Sequence, residues 1–245
     1  MGVILWRIAH LPEARDESWQ RIQEGGVLRV GLDPSFPPFA SLDGSGKLVG
    51  YDMELAGELG RRLGVEVTFV PSSFDGLYGA LQAKRFDCII SALLYDPSLS
   101  QDVGYSRPYF DAGQVLVVSA AHEEIEGVGD LVGREVGVEM GSEGHMEAMR
   151  LAKRLQGVTL VPHSTPQEVI WAVREGRLPV AIIDSVSAYE FISRWGGVRT
   201  LGPMLTHEPY VIAVRFRDKT LLGKINEALQ AMETEGYLQR LYGSY

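Results

Sequence analysis

The alternation of strand-like and helix-like segments constrains the fold more than any other feature of this sequence. Apolar runs typical of strands, such as VLRVGL, VEVTFV, EVGVEM and PVAIID, are separated by segments with helical spacing, such as DMELAGELGRRLG. Strands that alternate with helices indicate parallel pairing in an α/β fold. One such series precedes the apolar run QVLVVSA and another follows it, which predicts two lobes.

Composition limits the class of protein. A chain of 245 residues with 45% hydrophobic residues can bury a sizeable core as one domain or as two lobes. The net charge is −9 and no basic run occurs, so we expect no nucleic-acid partner. The one cysteine, Cys88, lies in the apolar run FDCIISALL and is expected to be a buried, unpaired thiol. No disulfide framework is available, which leaves the redox compartment open.

The first 26 residues are polar and weakly patterned, and we predict that residues 1–26 form a leader before the first lobe. Their apolar stretch is far shorter than the roughly 20 residues that span a bilayer, and it is poor as a signal sequence. We therefore expect either a cytoplasmic protein or a targeting or anchoring segment that lies outside this sequence.

Motifs of catalysis and cofactor binding are missing from the sequence. The stretch GVGDLVGREVGVEMGSEG does not match a dinucleotide or P-loop pattern, and neither a GxSxG nor an HExxH motif occurs. Glu143 and His145 form only an isolated E-x-H pair. We expect no cofactor, no metal site and no enzymatic activity.

Several motifs in unbroken order carry a family resemblance between Gly26 and Tyr242. They include GVLRVGLDPSFPPFASLDGSGKLVGYDMELAGELGRRLG, FDGLYGALQAKRFDCIISAL, YSRPYFDAG, DLVGREVGVEMGS and LLGKINEALQAMETEGYLQRLY. Together they resemble the family-3 extracellular solute-binding proteins, the amino-acid receptors of ABC importers. The resemblance implies a type II periplasmic-binding-protein-like fold, in which two β/α lobes joined by two hinge strands close on a ligand.

By this resemblance, the first lobe would contain residues 27–114 and 210–245, and the second would contain residues 119–205. The hinge segments would lie near 115–118 and 206–209. The implied location is periplasmic or extracellular, and the implied partners are a small-molecule ligand and the membrane permease of an ABC transporter. We expect a monomer.

The resemblance also assigns positions to the ligand site. The family's aromatic sandwich falls on Phe36 and Phe74, and the group that pairs with the ligand's ammonium falls on Asp184. Asp33 ends the first strand, where a cleft contact and an Asx-turn are equally open. The other matched positions are Ser91, Ala92, Leu94, Glu139, Gly141 and Ser142, of which Gly141 and Ser142 precede a helix whose N-terminus would favour an anion.

The sequence departs from the family at the carboxylate clamp. The family arginine that grips the ligand's α-carboxylate falls on Leu99, which cannot do so. Asp33, Glu139 and Asp184 would then share a cleft without a cation at the matched positions, and this predicts a cationic ligand. Arg107 or Arg150 could instead replace the clamp and restore ordinary amino-acid binding.

Two other functions remain open at this point. The fold also serves as the sensory or regulatory ligand-binding module of larger receptors. A few proteins of similar sequence are cyclohexadienyl-dehydratase-like enzymes, whose dicarboxylate substrates would need cations in the cleft.

Overall fold

The computed structural model describes residues 17–121 and 124–242, and these form two lobes that are each built on a five-stranded sheet. The helices are α1 (Glu17–Gly25), α2 (Tyr51–Leu63), α3 (Leu77–Gln82), α4 (Glu143–Arg154), α5 (Pro166–Arg174), α6 (Ser185–Trp195), α7 (Lys219–Thr234) and α8 (Tyr237–Tyr242). The strands are β1 (Val27–Leu32), β2 (Ser41–Leu42), β3 (Leu48–Val49), β4 (Glu66–Pro71), β5 (Cys88–Ile89), β6 (Val103–Tyr105), β7 (Phe110–Asp111), β8 (Gln114–Ser119), β9 (Glu135–Glu139), β10 (Thr159–His163), β11 (Val180–Asp184), β12 (Val198–Leu201), β13 (Pro209–Tyr210) and β14 (Ala213–Arg215).

The sheet of the first lobe has the strand order β4-β1-β5-β14-β6. One face of this sheet packs against α1, α2, α7 and α8, and Leu55 and Leu59 of α2 are fully buried there. The other face packs against α3, around Leu77, Leu81 and Phe86. Because helices cover both faces, the strands are apolar on both sides, as the sequence pattern indicates.

The sheet of the second lobe has the order β10-β9-β11-β8-β12. The helices α5 and α6 cover one face, where Ile170 and Phe191 are buried, and α4 covers the other, where Ala148 and Leu151 are buried. The prediction of an α/β fold with two lobes is confirmed.

The expected parallel pairing holds for only part of each sheet. The pairs of β1 with β4 and β5, and of β9 with β10 and β11, are parallel. In contrast, β14 is antiparallel to β5 and β6, and β8 is antiparallel to β11 and β12. These exceptions arise where the chain enters the second lobe and returns from it, so no helical crossover precedes those strands.

Two short strands join the lobes. The outgoing β7 pairs antiparallel with the returning β13, so Phe110 and Asp111 lie opposite Tyr210 and Pro209. Residues 115–118, where the sequence places one hinge, instead lie in β8 between β11 and β12. Their run of apolar side chains is buried on both faces of the sheet, which explains why the segment is part of the lobe.

The predicted leader differs from the structure over residues 17–26. Helix α1 packs on the first lobe, and its Ile22 is fully buried in the same core as Leu28 and Leu55. The first lobe therefore begins no later than Glu17. Residues 1–16 of the predicted leader lie outside the described part of the chain.

Candidate functional site

The predicted site residues of the first lobe follow the carboxyl ends of its parallel strands. Asp33 comes after β1, Phe74 after β4, and Ser91 after β5. The corresponding positions in the second lobe are Gly141 and Ser142 after β9, and Asp184 at the end of β11. Carboxyl ends of parallel strands meet at one edge of a sheet, and ligands of open α/β folds bind at that edge.

Asp33 ties three loops of the first lobe together. Its carboxylate accepts hydrogen bonds from the N–H of Ser35 (2.9 Å) and the N–H of Phe74 (2.6 Å), and its own N–H donates to Ser91 Oγ (3.0 Å). The Ser35 hydroxyl, followed by these N–H groups, lowers the pKa of Asp33. Asp33 thus forms the Asx-turn, one of the two roles that its sequence context leaves open, and both of its carboxylate oxygens are already engaged.

The two predicted sandwich aromatics flank this turn. Phe36 and Phe74 each leave 48% of their surface exposed, whereas Phe39 beside them is buried. Phe36 stacks on Phe39 with ring centroids 5.7 Å apart and an interplanar angle of 10°. Large apolar side chains left half exposed beside a polar turn are suited to cover the carbon chain of a small ligand.

Ser91 and Ala92 are buried and tightly held at the end of β5. Ala92 adopts a φ of 45°, in the left-handed region that alanine rarely occupies. Its N–H donates to Asp52 Oδ2 (2.9 Å) and to the Tyr109 hydroxyl (3.0 Å), which itself donates to Asp52 Oδ1 (2.9 Å). This network fixes the loop in a strained conformation, which is a feature of functional sites.

Leu94 and Leu99 belong to the loop that lacks the arginine clamp. Leu94 is exposed and forms an isolated β-bridge with Tyr210 of β13. Leu99 ends a 3-10 turn whose N-cap is Asp96, and it packs on the apolar core around α3. Leu99 therefore serves as a packing residue that closes this loop onto the first lobe.

Gly141 and Ser142 form the turn that starts α4. Ser142 Oγ accepts a hydrogen bond from the His145 N–H (3.1 Å) and donates one to the Glu139 carbonyl (2.9 Å). The Gly141 N–H donates to Nδ1 of His145 (3.1 Å). This turn is therefore capped from within, and the Gly141 N–H would have to leave His145 in order to bind a ligand.

Asp184 is the N-cap of α6, and its Oδ1 accepts a hydrogen bond from the Ser187 N–H (2.8 Å). The side chain is partly buried. A single N-cap bond leaves the second carboxylate oxygen and the negative charge available, so capping and ligand contact are compatible roles.

A cluster of carboxylates surrounds Asp184. Burial, together with the charge of Asp184, raises the pKa of Glu139. Burial also raises the pKa of Glu208, and the charges of Glu143, Asp184 and Asp111 act in the same direction. We call Glu139, Glu143, Asp184 and Glu208 the acidic cluster.

No lysine or arginine within residues 17–121 and 124–242 forms an ion pair with the acidic cluster. The neighbouring polar groups are Gln114, whose Nε2 lies 3.4 Å from Glu208 Oε1, and His207, which contacts Asp111 at 2.6 Å. Partly buried carboxylates that lie close together without a cation repel one another, and a bound cation would relieve that cost.

Neither candidate replacement for the clamp points to the acidic cluster. The Arg107 guanidinium contacts Gln230 and pairs with Glu233 (2.6 Å), and the backbone N–H of Arg107 donates to Asn226 Oδ1 (2.8 Å), so all three partners lie on α7. Arg150 pairs with Glu147 (2.8 Å) one turn earlier on its own helix.

Sequence reasoning missed four residues that organise this region. Glu208 and Gln114 lie beside the crossing strands, and Asp52 and Tyr109 hold the Ala92 loop. Asp52 could have been suspected, since it is a carboxylate among the apolar positions of α2. Nothing in the sequence pattern marks the other three.

The comparison with protein families decides the identity of this fold. The profile of the bacterial extracellular solute-binding proteins, family 3, matches residues 28–245. The chain belongs to this family. It is therefore a solute-binding protein, and the family resemblance seen in the sequence is confirmed.

Two curated relatives of this solute-binding protein come from Escherichia coli strain K12. The L-cystine-binding protein TcyJ is 29% identical over 90% of this chain and 83% of its own length. The lysine/arginine/ornithine-binding periplasmic protein is 29% identical over 89% of this chain and 87% of its own length.

Three solved structures share the fold of this solute-binding protein. An ancestral cationic amino-acid solute-binding protein is 31% identical, with a TM-score of 0.71 over 93% of this chain and 99% of the other. An ancestral arginine-binding protein bound to arginine is 36% identical, with a TM-score of 0.54 over 90% and 98%. An ancestral cyclohexadienyl dehydratase is 25% identical, with a TM-score of 0.78 over 93% and 95%.

The helices of the described region include none that could cross a bilayer, because no helix there is both long and apolar enough.

Proposed function

We propose that this protein is the receptor of an ABC importer for an amino acid with a cationic side chain. The observation that carries the proposal is the acidic cluster beside the crossing strands, where Glu139 and Glu208 are partly buried next to Asp184 without a cation of the described chain. A guanidinium or ammonium group would supply the missing charge.

The relatives support this proposal. Proteins named for binding arginine, histidine, or lysine, arginine and ornithine all cover more than 85% of their own length in the match to this chain. One of them is named as an arginine-binding protein of an ABC transporter, and others are named periplasmic. We infer the same kind of permease partner and a periplasmic or extracellular location for this protein.

The apolar part of such a ligand would lie between Phe36 and Phe74. Both rings are half exposed beside the Asp33 turn, so each can cover methylene groups or the face of a guanidinium. The ligand's α-ammonium would then reach Asp184, and its side-chain cation would reach Glu139 and Glu208.

Binding would work by closure of the lobes. A ligand held only by Phe36 and Phe74 of the first lobe, or only by the acidic cluster, gains part of its binding energy. A form in which both sets make contact at once is stabilised by all of these contacts, so the ligand shifts the population to that form. The crossing strands β7 and β13 are the segments that would bend, as in other hinged proteins.

Leu99, Arg107 and Arg150 all have other contacts, so none of them is free to bind the ligand's α-carboxylate. Three ligands test whether the side-chain charge and the α-carboxylate are each recognised. Arginine carries both groups, citrulline has a neutral side chain, and agmatine lacks the carboxylate. We expect arginine to bind at least tenfold more tightly than citrulline, since a charge-assisted contact is worth about 1.4 kcal/mol or more. Agmatine binding as tightly as arginine would show that the carboxylate is not recognised.

The first prediction concerns Asp184→Asn, which retains an oxygen for the N-cap and removes the charge. Isothermal titration calorimetry should show at least a tenfold loss of arginine affinity, with the melting temperature close to that of the unmodified protein. The matched control is Glu66→Gln, an exposed carboxylate at the start of β4, which should change neither quantity. Equal arginine affinity in Asp184→Asn and the unmodified protein would refute the site assignment.

An enzymatic function analogous to the ancestral cyclohexadienyl dehydratase is the second candidate, because that structure overlaps well with this chain. The acidic cluster argues against it, since carboxylates repel an anionic substrate. Incubation with a cyclohexadienyl carboxylate and spectroscopic detection of an aromatic product tests this alternative, and we expect no turnover.

A further inference from the structure

A second pocket lies in the first lobe at the sheet edge opposite the ligand site. It has a volume of about 200 Å³ and is lined by Glu17, Ser18, Arg21, Arg29, Lys84 and Arg215. Arg29 lies near the start of β1, and Lys84 lies shortly before β5, whereas Asp33 and Ser91 of the ligand site follow the ends of these two strands. The length of the sheet therefore separates the two sites.

The pocket is rich in cations. Asp87, which is fully buried behind it, pairs with Arg21, with Arg29 (2.8 Å) and more distantly with Arg215 (3.8 Å). Arg215 also pairs with Asp218 (2.6 Å). Four cationic side chains line the pocket, and Glu17, Asp87 and Asp218 supply three carboxylates, so positive charge remains in excess.

Arg215 holds a donor that no group of the described residues accepts from. Its side chain is 9% exposed, and its guanidinium donates to the carbonyls of Leu81 (3.0 Å) and Phe86 (2.7 Å) and to Ser18 Oγ (3.2 Å). Its Nε is buried and has no hydrogen-bond partner among the described residues. A buried, unpaired N–H of a cation is costly, and negative charge in the adjoining pocket would offset part of that cost.

Lys84 is placed at the rim at a conformational cost. Its φ is 59°, in the left-handed region after α3 where glycine is preferred. Its ammonium has no ion pair with any carboxylate of the described chain, and the residue is exposed. Because this backbone conformation disfavours lysine, we attribute the presence of Lys84 to its charge at the pocket.

We propose that this pocket binds an oxyanion of the phosphate class. Arginine forks and a lysine ammonium are the side chains that match the geometry and charge of phosphate oxygens. The volume would accommodate the oxyanion with a small organic substituent. The oxyanion could be soluble phosphate or a phosphate monoester, or the headgroup of an anionic phospholipid.

The test compares inorganic phosphate with chloride at equal ionic strength, by thermal shift and by calorimetric titration of the full chain. The key variant is Lys84→Ala, because alanine is as disfavoured as lysine at this φ and the substitution removes the ammonium without easing the backbone. The control is Lys224→Ala, an exposed lysine of α7 paired with Glu227. Phosphate should raise the melting temperature of the unmodified protein and of Lys224→Ala, and its affinity should fall at least fivefold in Lys84→Ala.

Phosphate effects that are equal in Lys84→Ala and Lys224→Ala, or equal to those of chloride, would overturn the proposal. Co-sedimentation with phosphatidylglycerol and phosphatidylcholine vesicles distinguishes a phospholipid headgroup from a soluble phosphate compound. Binding to the anionic vesicles that is lost in Lys84→Ala identifies a lipid headgroup, and phosphate binding without vesicle binding identifies a soluble ligand.

The proposals for the pocket and for the amino-acid site can be refuted independently. Asp184→Asn removes a residue of the acidic cluster and leaves every pocket residue in place, so it should keep the full phosphate effect. If phosphate competes with arginine in the unmodified protein, the anion binds in the amino-acid site, and the proposal that the second pocket binds it is wrong.

Discussion

Asp52 shows how a single buried residue can hold the loop that contains Ala92. It lies in the first turn of α2, is fully buried, and receives hydrogen bonds from Tyr109 and Ala92. Burial, opposed by these two hydrogen bonds, raises its pKa from 3.8 to about 7. The other titratable groups around it are Tyr51, Tyr109 and Tyr210, whose pKa values are all raised above 10, so Asp52 alone titrates near neutrality.

The second prediction follows from the sign of this shift. A carboxyl with a raised pKa in the folded state stabilises the fold when it is protonated, so its contribution is complete below pH 3.8 and is lost as the pH rises through about 7. The loss is on the order of 4 kcal/mol. Asp52→Asn should therefore flatten the melting temperature between pH 5 and 8. A pH profile unchanged by the substitution would contradict the raised pKa of Asp52.

Individual residues were predictable from sequence only where local chemistry decides their role. The proline-rich surroundings of Asp33 make an Asx-turn one of two open roles, and the structure forms that turn. The sequence could not show that Arg107 contacts α7, because Gln230 and Glu233 are more than 120 residues away in the chain. Whether the predicted residues contact the ligand remains a prediction.

Helix α1 is the element whose role differs most from the sequence expectation. Its composition is polar apart from Trp19 and Ile22, and this pattern resembles a leader. In the structure, Ile22 is fully buried, and Ser18 and Arg21 contact Asp218 and Asp87. The buried Ile22, the packing of Trp19 and the polar contacts of Ser18 and Arg21 attach the helix, and periodicity over nine residues is too short a signal to reveal them.

The third prediction tests this attachment. Ile22→Ala should destabilise the protein by about 2–4 kcal/mol, because the truncation leaves a cavity in the core of the first lobe. Gln23→Ala changes an exposed neighbour in the same helix and should have little effect. Urea unfolding of both variants measures the difference, and equal midpoints would mean that α1 is a separable leader after all.

The two lobes were predictable as elements, whereas their connection was not. The long strands and amphipathic helices of both lobes carry clear periodicity. The crossing strands β7 and β13 contain two residues each, which is too few to show any pattern. The family resemblance places a hinge at residues 115–118 of β8, and the sequence could not correct this placement, since nothing local distinguishes a strand within a sheet from a strand between two sheets.

At the scale of the whole molecule, Gly113 brings the two connecting segments into direct contact. A Cβ atom at this position would lie 1.8 Å from the carbonyl oxygen of Thr206 and 3.2 Å from Cα of His207. The backbones of the outgoing and returning segments can therefore lie side by side only if residue 113 has no side chain.

The fourth prediction is that Gly113→Ala forces these segments apart. We expect a loss of stability of more than about 3 kcal/mol, together with weakened arginine binding, because the lobes can no longer adopt the same relative positions. Gly127→Ala is the control, since a Cβ there meets no atom within 4 Å and its backbone is extended. Thermal unfolding and small-angle scattering compare the two variants, and similar results for both would contradict the role of Gly113.

Cys88 gives this molecule a practical property for spectroscopy. It is the one cysteine in the sequence, it is fully buried in β5, and burial raises the pKa of its thiol. Since the thiolate is the form that reacts with maleimides, the native residue would stay unlabelled in the folded protein. Cysteines introduced at the exposed positions Lys47 and Val132, one on each lobe, could then carry a donor and an acceptor dye. Energy transfer between them would report lobe movement in single molecules without removal of the native thiol.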